Sequence, residues 1–534
     1  MAPCEGGGGT PGRHGRPWRR SLRGRRGHFT SPLRAEGRDR PGRAWRSRWA
    51  RVIYSACDCS RTAARNRCKA PSLAEVGRGP CWPHGPDWRL SALVNGGHVP
   101  RSRRPATADL TRPRRPPHAA SDLRRSFPGK RAARAVSIVL PVKRGDREAA
   151  MLDSAEARAD LAAVARPVSE ARGLPNRHYA CPETFRAEAA KLLHGGWVCV
   201  GVGADVPEPG DALPIDFLGV PLLLLRDRAG DLRLYQNVCR HRGMILVAEK
   251  RNFGGVIRCP YHSWCYSLDG RLRATPHAGG PGVNVTESVD RDATGLIPVR
   301  MGVFMDAVFA DLSGAAELFE DFVGPLAERW ADFSDRRLFH GGADSRFTLE
   351  IGGNWKLAVE NYCESYHLPW VHPGLNSYSR LEDHYNIERP GAFSGQGTTV
   401  YAPALGETAF PDFEDLPSKW DRAAEYVALY PNVLFGAHRD HVFSIRLEPV
   451  GHDRVREHVE LYYTTEEAAR GEAFAEARAR NAALWKTVFA EDVFVVEGMQ
   501  KGRGAPGFDG GVFAPAMDAP THCFHDWVAR RLAT

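Results

Sequence analysis

The 534-residue chain contains no run of 18 consecutive apolar residues, so a membrane-spanning helix is not expected. Its Gly- and Arg-rich start lacks the apolar core of a secretory signal. Acidic residues are scarce at the front: residues 1–150 hold 34 Lys+Arg against 10 Asp+Glu, leaving 39 against 53 for residues 151–534. The net charge of +10 therefore hides a basic region and an acidic one, which excludes a single uniform globular unit. Methionine is missing between Met1 and Met151. Cysteines number 12, seven of them after Met151, but never at the spacing of a small disulfide-stapled domain. That fits a reducing cytosol, where thiols stay free or bind metal, and a cytoplasmic location is expected. No G-x-G-x-x-G lies between a strand and a helix, so nicotinamide and flavin chemistry is expected in another protein. No internal repeat is visible.

Residues 1–150 carry clusters such as Arg19, Arg20, Arg23, Arg25 and Arg26, and Arg112 to Pro117. Apart from a short apolar run at Val136–Val142 they show no helical or strand period. Such a segment cannot bury enough apolar surface to offset the entropy of ordering, so it reads as disordered. Arginine runs attract phosphate, but no stacking pattern accompanies them and no nucleic-acid partner is expected. An organelle transit peptide is also Arg-rich and acid-poor, but its amphipathic helix is missing. The favoured reading is a start site placed too far upstream, because ordinary acidic composition begins at Met151.

From Met151 the pattern is α+β. Residues 151–194 read as a helical segment packing on the C-terminal domain, with a helix over 154–166 that Pro167 ends. Residues 195–300 read as a small all-β domain, with strands at Leu222–Leu225, Leu232–Val238, Val256–Arg258 and Cys265–Leu268. Asp269-Gly270 gives a two-residue hairpin signal. Residues 301–534 mix strands (Arg346–Ile351, His441–Val450, Glu457–Thr464) with helices (314–330, 354–367, 466–500).

Within the β domain stands Cys239-Arg240-His241, then an intervening 17 residues, then Cys259-Pro260-Tyr261-His262. Each half supplies one Cys and one His from a loop between short strands. A [2Fe-2S] cluster with cysteines on one iron and histidines on the other needs this ligand count. A structural zinc site also uses two Cys and two His, but zinc fingers normally pair Cys with Cys and His with His along the chain. Histidine ligands raise the potential above that of an all-cysteine cluster. Cys265 lies outside the pattern and reads as a buried thiol.

A second constellation follows in Asn354-Trp355-Lys356 … Glu360-Asn361 … Glu364-x-x-His367 … His372. Glu364 and His367, three apart on a continuing helix, share a face. Pro369 interrupts regular helix, so a turn can bring His372 beside His367. Two His and a carboxylate form the facial triad of Fe(II) oxygenases. The expected carboxylate is Asp492, which shares an apolar helix face with Trp485, Val488, Phe489, Val493 and Val496; an acid there is costly to bury unless paired or metal-bound. Glu491 is expected to point elsewhere. On their own, two His five apart are equally compatible with core or surface roles, and Asp492 with a partnering Arg.

The first motif, with Pro260-Tyr261-His262-Ser263-Trp264, resembles the Rieske ferredoxin fold of ring-hydroxylating oxygenases, with Ser263 where many members carry Gly. The second, together with Glu491-Asp492 and Gln500, resembles the catalytic domain of Rieske oxygenase large subunits, so the likeness spans residues 170–534. The resemblance implies a Rieske [2Fe-2S] domain on Cys239, His241, Cys259 and His262. It also implies an α+β helix-grip (START-like) domain holding one Fe(II) on His367, His372 and Asp492. It further implies a head-to-tail homotrimer in which His262 reaches Glu364 of a neighbour, the bridge to His367. Electrons would come from NAD(P)H through a separate reductase, with or without a ferredoxin, and O2 would oxidise a small-molecule substrate. Glu364 in place of Asp, Tyr430-Pro431-Asn432-Val433 and His438-Arg439-Asp440-His441 look like the choline, carnitine and glycine betaine monooxygenases, favouring a quaternary-ammonium or N-alkyl substrate. Aromatic ring hydroxylation is the alternative. A Rieske electron carrier without oxygenase activity is a third reading, opposed by Glu364, His367, His372 and Asp492.

Overall fold

The computed structural model describes residues 154–403 and 409–534. The expectations for residues 1–150, disorder and a misplaced start, lie outside them.

The first described helix, Ala155–Val164, is capped by the Ser154 side chain, which accepts from Ala157 N. Its buried positions Ala157, Leu161 and Val164 fall at helical spacing. It packs on the C-terminal helix Ala519–Ala533, and His522 Nε2 lies 3.0 Å from Val164 O.

The small β unit is antiparallel throughout. A four-stranded sheet runs in the order Leu232–Gln236, Val220–Arg226, Asp211–Phe217, Arg251–Asn252. A three-stranded sheet joins Val256–Arg258, Cys265–Ser267 and Leu272–Ala274. In a third, Trp197–Val202 pairs with Ala307–Asp311, which pairs with Arg300–Phe304. The unit thus draws strands from both sides of residue 300. The expected two-residue hairpin is instead a longer turn. Ser267 N donates to Arg271 O at 3.0 Å, and Gly270 sits at φ +84°. Its left-handed conformation is the one a loop of three residues asks for.

The C-terminal part wraps helices against one large antiparallel sheet. Arg454–Tyr463 pairs with His441–Gly451 on one side and with Phe339–His340 and Arg346–Ile351 on the other. From His441–Gly451 the order continues through Val433–Ala437, Ala424–Leu429 and Phe393–Thr398 to His384–Arg389. Val455, Val459, Leu461 and Tyr463 alternate toward the main core, as a strand buried on one face requires. That core also takes Leu357, Ala358 and Val359 of the helix Trp355–Cys363 and Trp485, Val488, Phe489 and Val496 of the helix Ala475–Gly502.

Three helices differ from expectation. The 314–330 element narrows to Phe319–Arg329. The 466–500 element splits at Gly471, which is extended (φ −66°, ψ 142°), into Glu466–Arg470 and the 28-residue helix Ala475–Gly502. The 354–367 helix stops at Cys363, and Glu364 is extended at φ −120°, ψ 158°. Pro369 explains the break, since its ring would clash with the carbonyl of residue 365 in a continuous helix. A new short helix, Leu368–Val371, starts instead with Pro369 in its first turn, where the missing N–H costs nothing.

Candidate functional site

The two cluster loops are near copies of each other. Cys239 N donates to Met244 O and Cys259 N to Trp264 O, both at 2.8 Å. Gly243 N donates to Cys239 O and Ser263 N to Cys259 O, both at 3.1 Å. Each turn needs a left-handed residue at its end, Gly243 at φ +74° and Ser263 at φ +57°. Ser263 thus occupies a conformation that glycine takes freely.

The loops set Cys239 and Cys259 inside, each 2% exposed, while His241 is exposed and His262 half-buried. The two imidazoles lie 4.7 Å apart, and His241 stacks on Trp264. Tyr266 Oη stands 3.3 Å from Cys239 Sγ and accepts from Arg240 N at 3.0 Å. Burial holds the Cys239 thiol above its ordinary value, with Cys259 adding to the rise. Two sulfurs inside and two imidazoles outside suit a cluster whose histidine iron faces solvent or a partner. Cys265 is buried and points its sulfur at Ser263 O, 3.2 Å away.

In the second constellation the Asn354 side chain caps its helix at Lys356 N. Asn354 N also donates to Gln500 Oε1 at 2.9 Å, tying the short helix to the long one. Below it, Lys356 and Glu188 form a fully buried pair at 2.7 Å, with His178 on the other side of the carboxylate.

His367, His372 and Asp492 converge, with ligand atoms all within 4.8 Å of one another. Asp492 Oδ1 is 2.9 Å from His372 Nε2 and 3.7 Å from His367 Nε2. Glu364 does meet His367, with its Oε1 2.6 Å from Nδ1. The contact comes from a turn in which Glu364 Oε2 also accepts from the Tyr366 and His367 amides. The expected shared helix face is not there.

Glu491 does not point elsewhere: its Oε2 is 2.9 Å from His372 Nδ1. Each imidazole therefore has a carboxylate on Nδ1, which fixes the tautomer and leaves Nε2 facing Asp492. Burial pushes the His372 imidazole down, but the Asp492 and Glu491 contacts outweigh it and raise it overall.

A narrow cavity of about 40 Å³ adjoins the triad, lined among others by Tyr362, His384, Gln396, Tyr426, Trp485 and Phe489, with no Lys or Arg. Glu364 and His367 also border a wider cavity of about 470 Å³ on their other side, with Glu360, Phe508 and His525. Sequence reasoning set Glu491 aside and missed Gln396, Tyr426 and Glu457. Glu457 is the one charge in the row Val455, Glu457, Val459, Leu461, and burial with the nearby Asp492 pushes it up to about 8. That broken alternation was its only sequence signal.

The Rieske [2Fe-2S] domain family matches residues 196–288, and the ring hydroxylating alpha subunit catalytic domain matches residues 341–534. The chain belongs to the Rieske non-haem iron oxygenases. As such a protein it carries a [2Fe-2S] cluster and a mononuclear iron, and the two donor sets above fit them. The carnitine monooxygenase oxygenase subunit of Acinetobacter pittii is 26% identical over 344 residues, covering 63% of this chain and 86% of that one. The chloroplastic choline monooxygenase of Arabidopsis thaliana is 28% identical over 374 residues, covering 67% and 82%. The crystal structure of the quaternary ammonium Rieske monooxygenase CntA matches with a TM-score of 0.57 at 24% identity, covering 70% of this Rieske oxygenase and 98% of that chain. Naphthalene 1,2-dioxygenase from Rhodococcus matches with a TM-score of 0.56 at 20% identity, covering 71% and 98%. The two structural matches speak for the fold. Among the described residues, no helix is long and apolar enough to cross a membrane.

Proposed function

We propose that this oxygenase acts on a quaternary-ammonium or other N-alkyl substrate, with iron held by His367 Nε2, His372 Nε2 and Asp492. The observation that carries the reading is the pocket beside that triad: carboxylates at the iron end, aromatic rings beyond, and no Lys or Arg in the wall. A permanent cation suits such a wall through cation–π and charge attraction, whereas a benzoate-like anion would lack a counter-charge. The names of the relatives, which act on carnitine and choline, point the same way.

Cys239 and Cys259 bind one iron of the cluster in this reading, and His241 and His262 the other. Iron in the triad supplies oxygen activation, with three protein ligands leaving positions open. Glu364 and Glu491 hold the two imidazoles at the angle the metal needs.

Glu364 borders the outward cavity as well as the inner one, so it is the acid a second copy can reach. Tyr366, Trp370 and Phe494 nearby are 43%, 71% and 83% exposed, and Tyr261 beside His262 is 56% exposed. Burying these two apolar patches against each other in a head-to-tail trimer would bring His262 of one copy to Glu364 of the next. Electrons would reach the cluster from a separate NAD(P)H-dependent reductase.

The test is product analysis by mass spectrometry with a generic reductase and a panel of choline, carnitine, glycine betaine and benzoates. Oxidation of benzoates alone overturns the N-alkyl reading. His372→Ala should keep the visible spectrum of the cluster and abolish oxygenation; surviving activity overturns the ligand assignment. An iron count of about three per chain, with two acid-labile sulfides, separates the oxygenase from a pure carrier with about two.

A further inference from the structure

A cavity of about 500 Å³ lies where the small β unit meets the C-terminal sheet. It shares no wall residue with the two cavities that border the triad. Gly203 and Arg226 come from the first part, and Arg337, Phe339, Arg346 and Arg470 from the second. Its volume is in the range of small-molecule sites, which favour such junctions.

The charges on the wall point to a ligand. Four arginines stand against two acids, Asp306 and Glu466. Arg346 is neutralised by Glu460 and Asp205, which lie 2.6 and 2.9 Å from its Nη2. Arg470 faces Glu466 at 4.0 Å. Arg226 and Arg337 have no carboxylate partner among the described residues. Arg226 donates from Nε, Nη1 and Nη2 to the carbonyls of Val206, Gly230 and Gly203, at 2.6, 2.8 and 3.2 Å. Those bonds fix the guanidinium, but they leave its charge uncompensated and part of its N–H fork unused. Arg337 is exposed and lies over the Phe339 ring at 4.6 Å.

Asp306 sits in the turn between the strands Arg300–Phe304 and Ala307–Asp311, where Met305 and Asp306 are left-handed at φ +50° and +66°. The turn aims Asp306 Oδ2 at Ala204 N and Tyr462 Oη, both 3.0 Å away. Desolvation pushes the Asp306 carboxyl up, so it opposes an incoming anion less than an open carboxylate would.

We propose that this cavity binds a small organic carboxylate between Arg226 and Arg337, bridging the small β unit and the C-terminal part. The two oxygens of a carboxylate match the N–H fork of a guanidinium. Leu338, Phe339 and Tyr462 offer an apolar surface to a carbon skeleton, which a bare phosphate would not use. A cation would meet two uncompensated positive charges. The occupant is a second ligand and not the molecule oxidised at iron, so the inference stands apart from the N-alkyl reading.

The experiment is calorimetric titration of the iron-loaded chain with succinate and, at matched ionic strength, with inorganic phosphate. The wild type should bind succinate with a Kd of about 1 mM or tighter and melt at a higher temperature in its presence. Arg337→Gln should weaken succinate binding about tenfold, as for a lost hydrogen bond to a charged group. Arg226→Lys, which keeps the charge but loses the fork, should also bind it more weakly. The visible spectrum of the cluster reports folding, and the exposed Arg337 keeps the test alive if Arg226→Lys fails to fold. His372→Ala should bind succinate as the wild type does, which separates this site from chelation at iron. Absence of saturable succinate binding by the wild type, or wild-type affinity in Arg337→Gln, overturns the site. Loss of binding in His372→Ala overturns it as well, by placing the ligand at iron. Phosphate bound more tightly than succinate overturns the assignment to an organic carboxylate.

Discussion

Removing Glu491 tests whether a carboxylate behind His372 holds the iron site in shape. Its Oε2 is 2.9 Å from Nδ1 of an imidazole whose side chain is only 3% exposed. Among the described residues that nitrogen has no other hydrogen-bond acceptor. Outer-shell partners of metal-bound histidines are typically worth 10–100-fold in affinity or activity. Glu491 is itself 38% exposed, so water can enter and replace part of the contact, which places the expected loss at the lower end. Glu491→Ala should therefore weaken Fe(II) binding about tenfold, equivalent to about 1.4 kcal/mol. Glu491→Gln, whose amide oxygen still accepts from Nδ1–H, should lose about threefold or less. The assay is competition for Fe(II) against a chelator of known affinity, with the absorbance of the [2Fe-2S] cluster as an internal control. Wild-type iron affinity in Glu491→Ala would show that the contact is incidental. A simultaneous loss of cluster absorbance would show that the variant perturbs the whole chain and not the iron site.

Further outcomes follow from other residues. Ser263→Gly should leave the cluster intact and stability equal or slightly higher, whereas Ser263→Val should release acid-labile sulfide on mild heating, because a β-branched residue resists φ near +57°. Lys356→Met leaves the buried Glu188 without its cation and should destabilise the chain by about 3–5 kcal/mol in denaturant titration. Glu448 is held at about 2 first by its hydrogen bond to His458, with Arg446 and Arg456 adding to it. Its folded value lies below the ordinary carboxylate one, so its stabilisation is complete above about pH 4.5 and is lost as pH falls toward 2. Glu448→Gln should melt earlier than wild type at pH 7, and the two curves should converge near pH 2. Trp370→Glu, in the patch proposed to meet a second copy, should lower the apparent mass in light scattering and slow electron delivery to the iron, with cluster absorbance unchanged; an unchanged mass overturns the proposed head-to-tail contact.

The cluster loops were legible in the sequence because each is local. Ligands, turn residue and closing hydrogen bonds all fall between Cys239 and Met244, or between Cys259 and Trp264. The triad was legible in part. Asp492 lies 120 residues beyond His372, and only its place on an apolar helix face pointed to it. Glu491 was misjudged because adjacent helical residues diverge by about 100°, which suggested that only one could face the site. The imidazole of His372 lies against the helix with its two nitrogens reaching different residues, so Nε2 meets Asp492 while Nδ1 meets Glu491. The helix break before Glu364 had a visible cause in Pro369, but the i, i+3 spacing to His367 concealed it. A tight turn brings those side chains together as a helix would.

What no single segment could show is how charge is distributed along the pocket. Glu364, Glu491 and Asp492 come from two segments and all contact the two imidazoles, and Glu457, from a strand two elements away, feels the charge of Asp492. Burial, with the charge of Asp492 adding to it, pushes Glu457 up to about 8. With Glu457 protonated, three carboxylates against one divalent iron leave about one net negative charge beside the triad, which favours the cationic substrate proposed above over an anion.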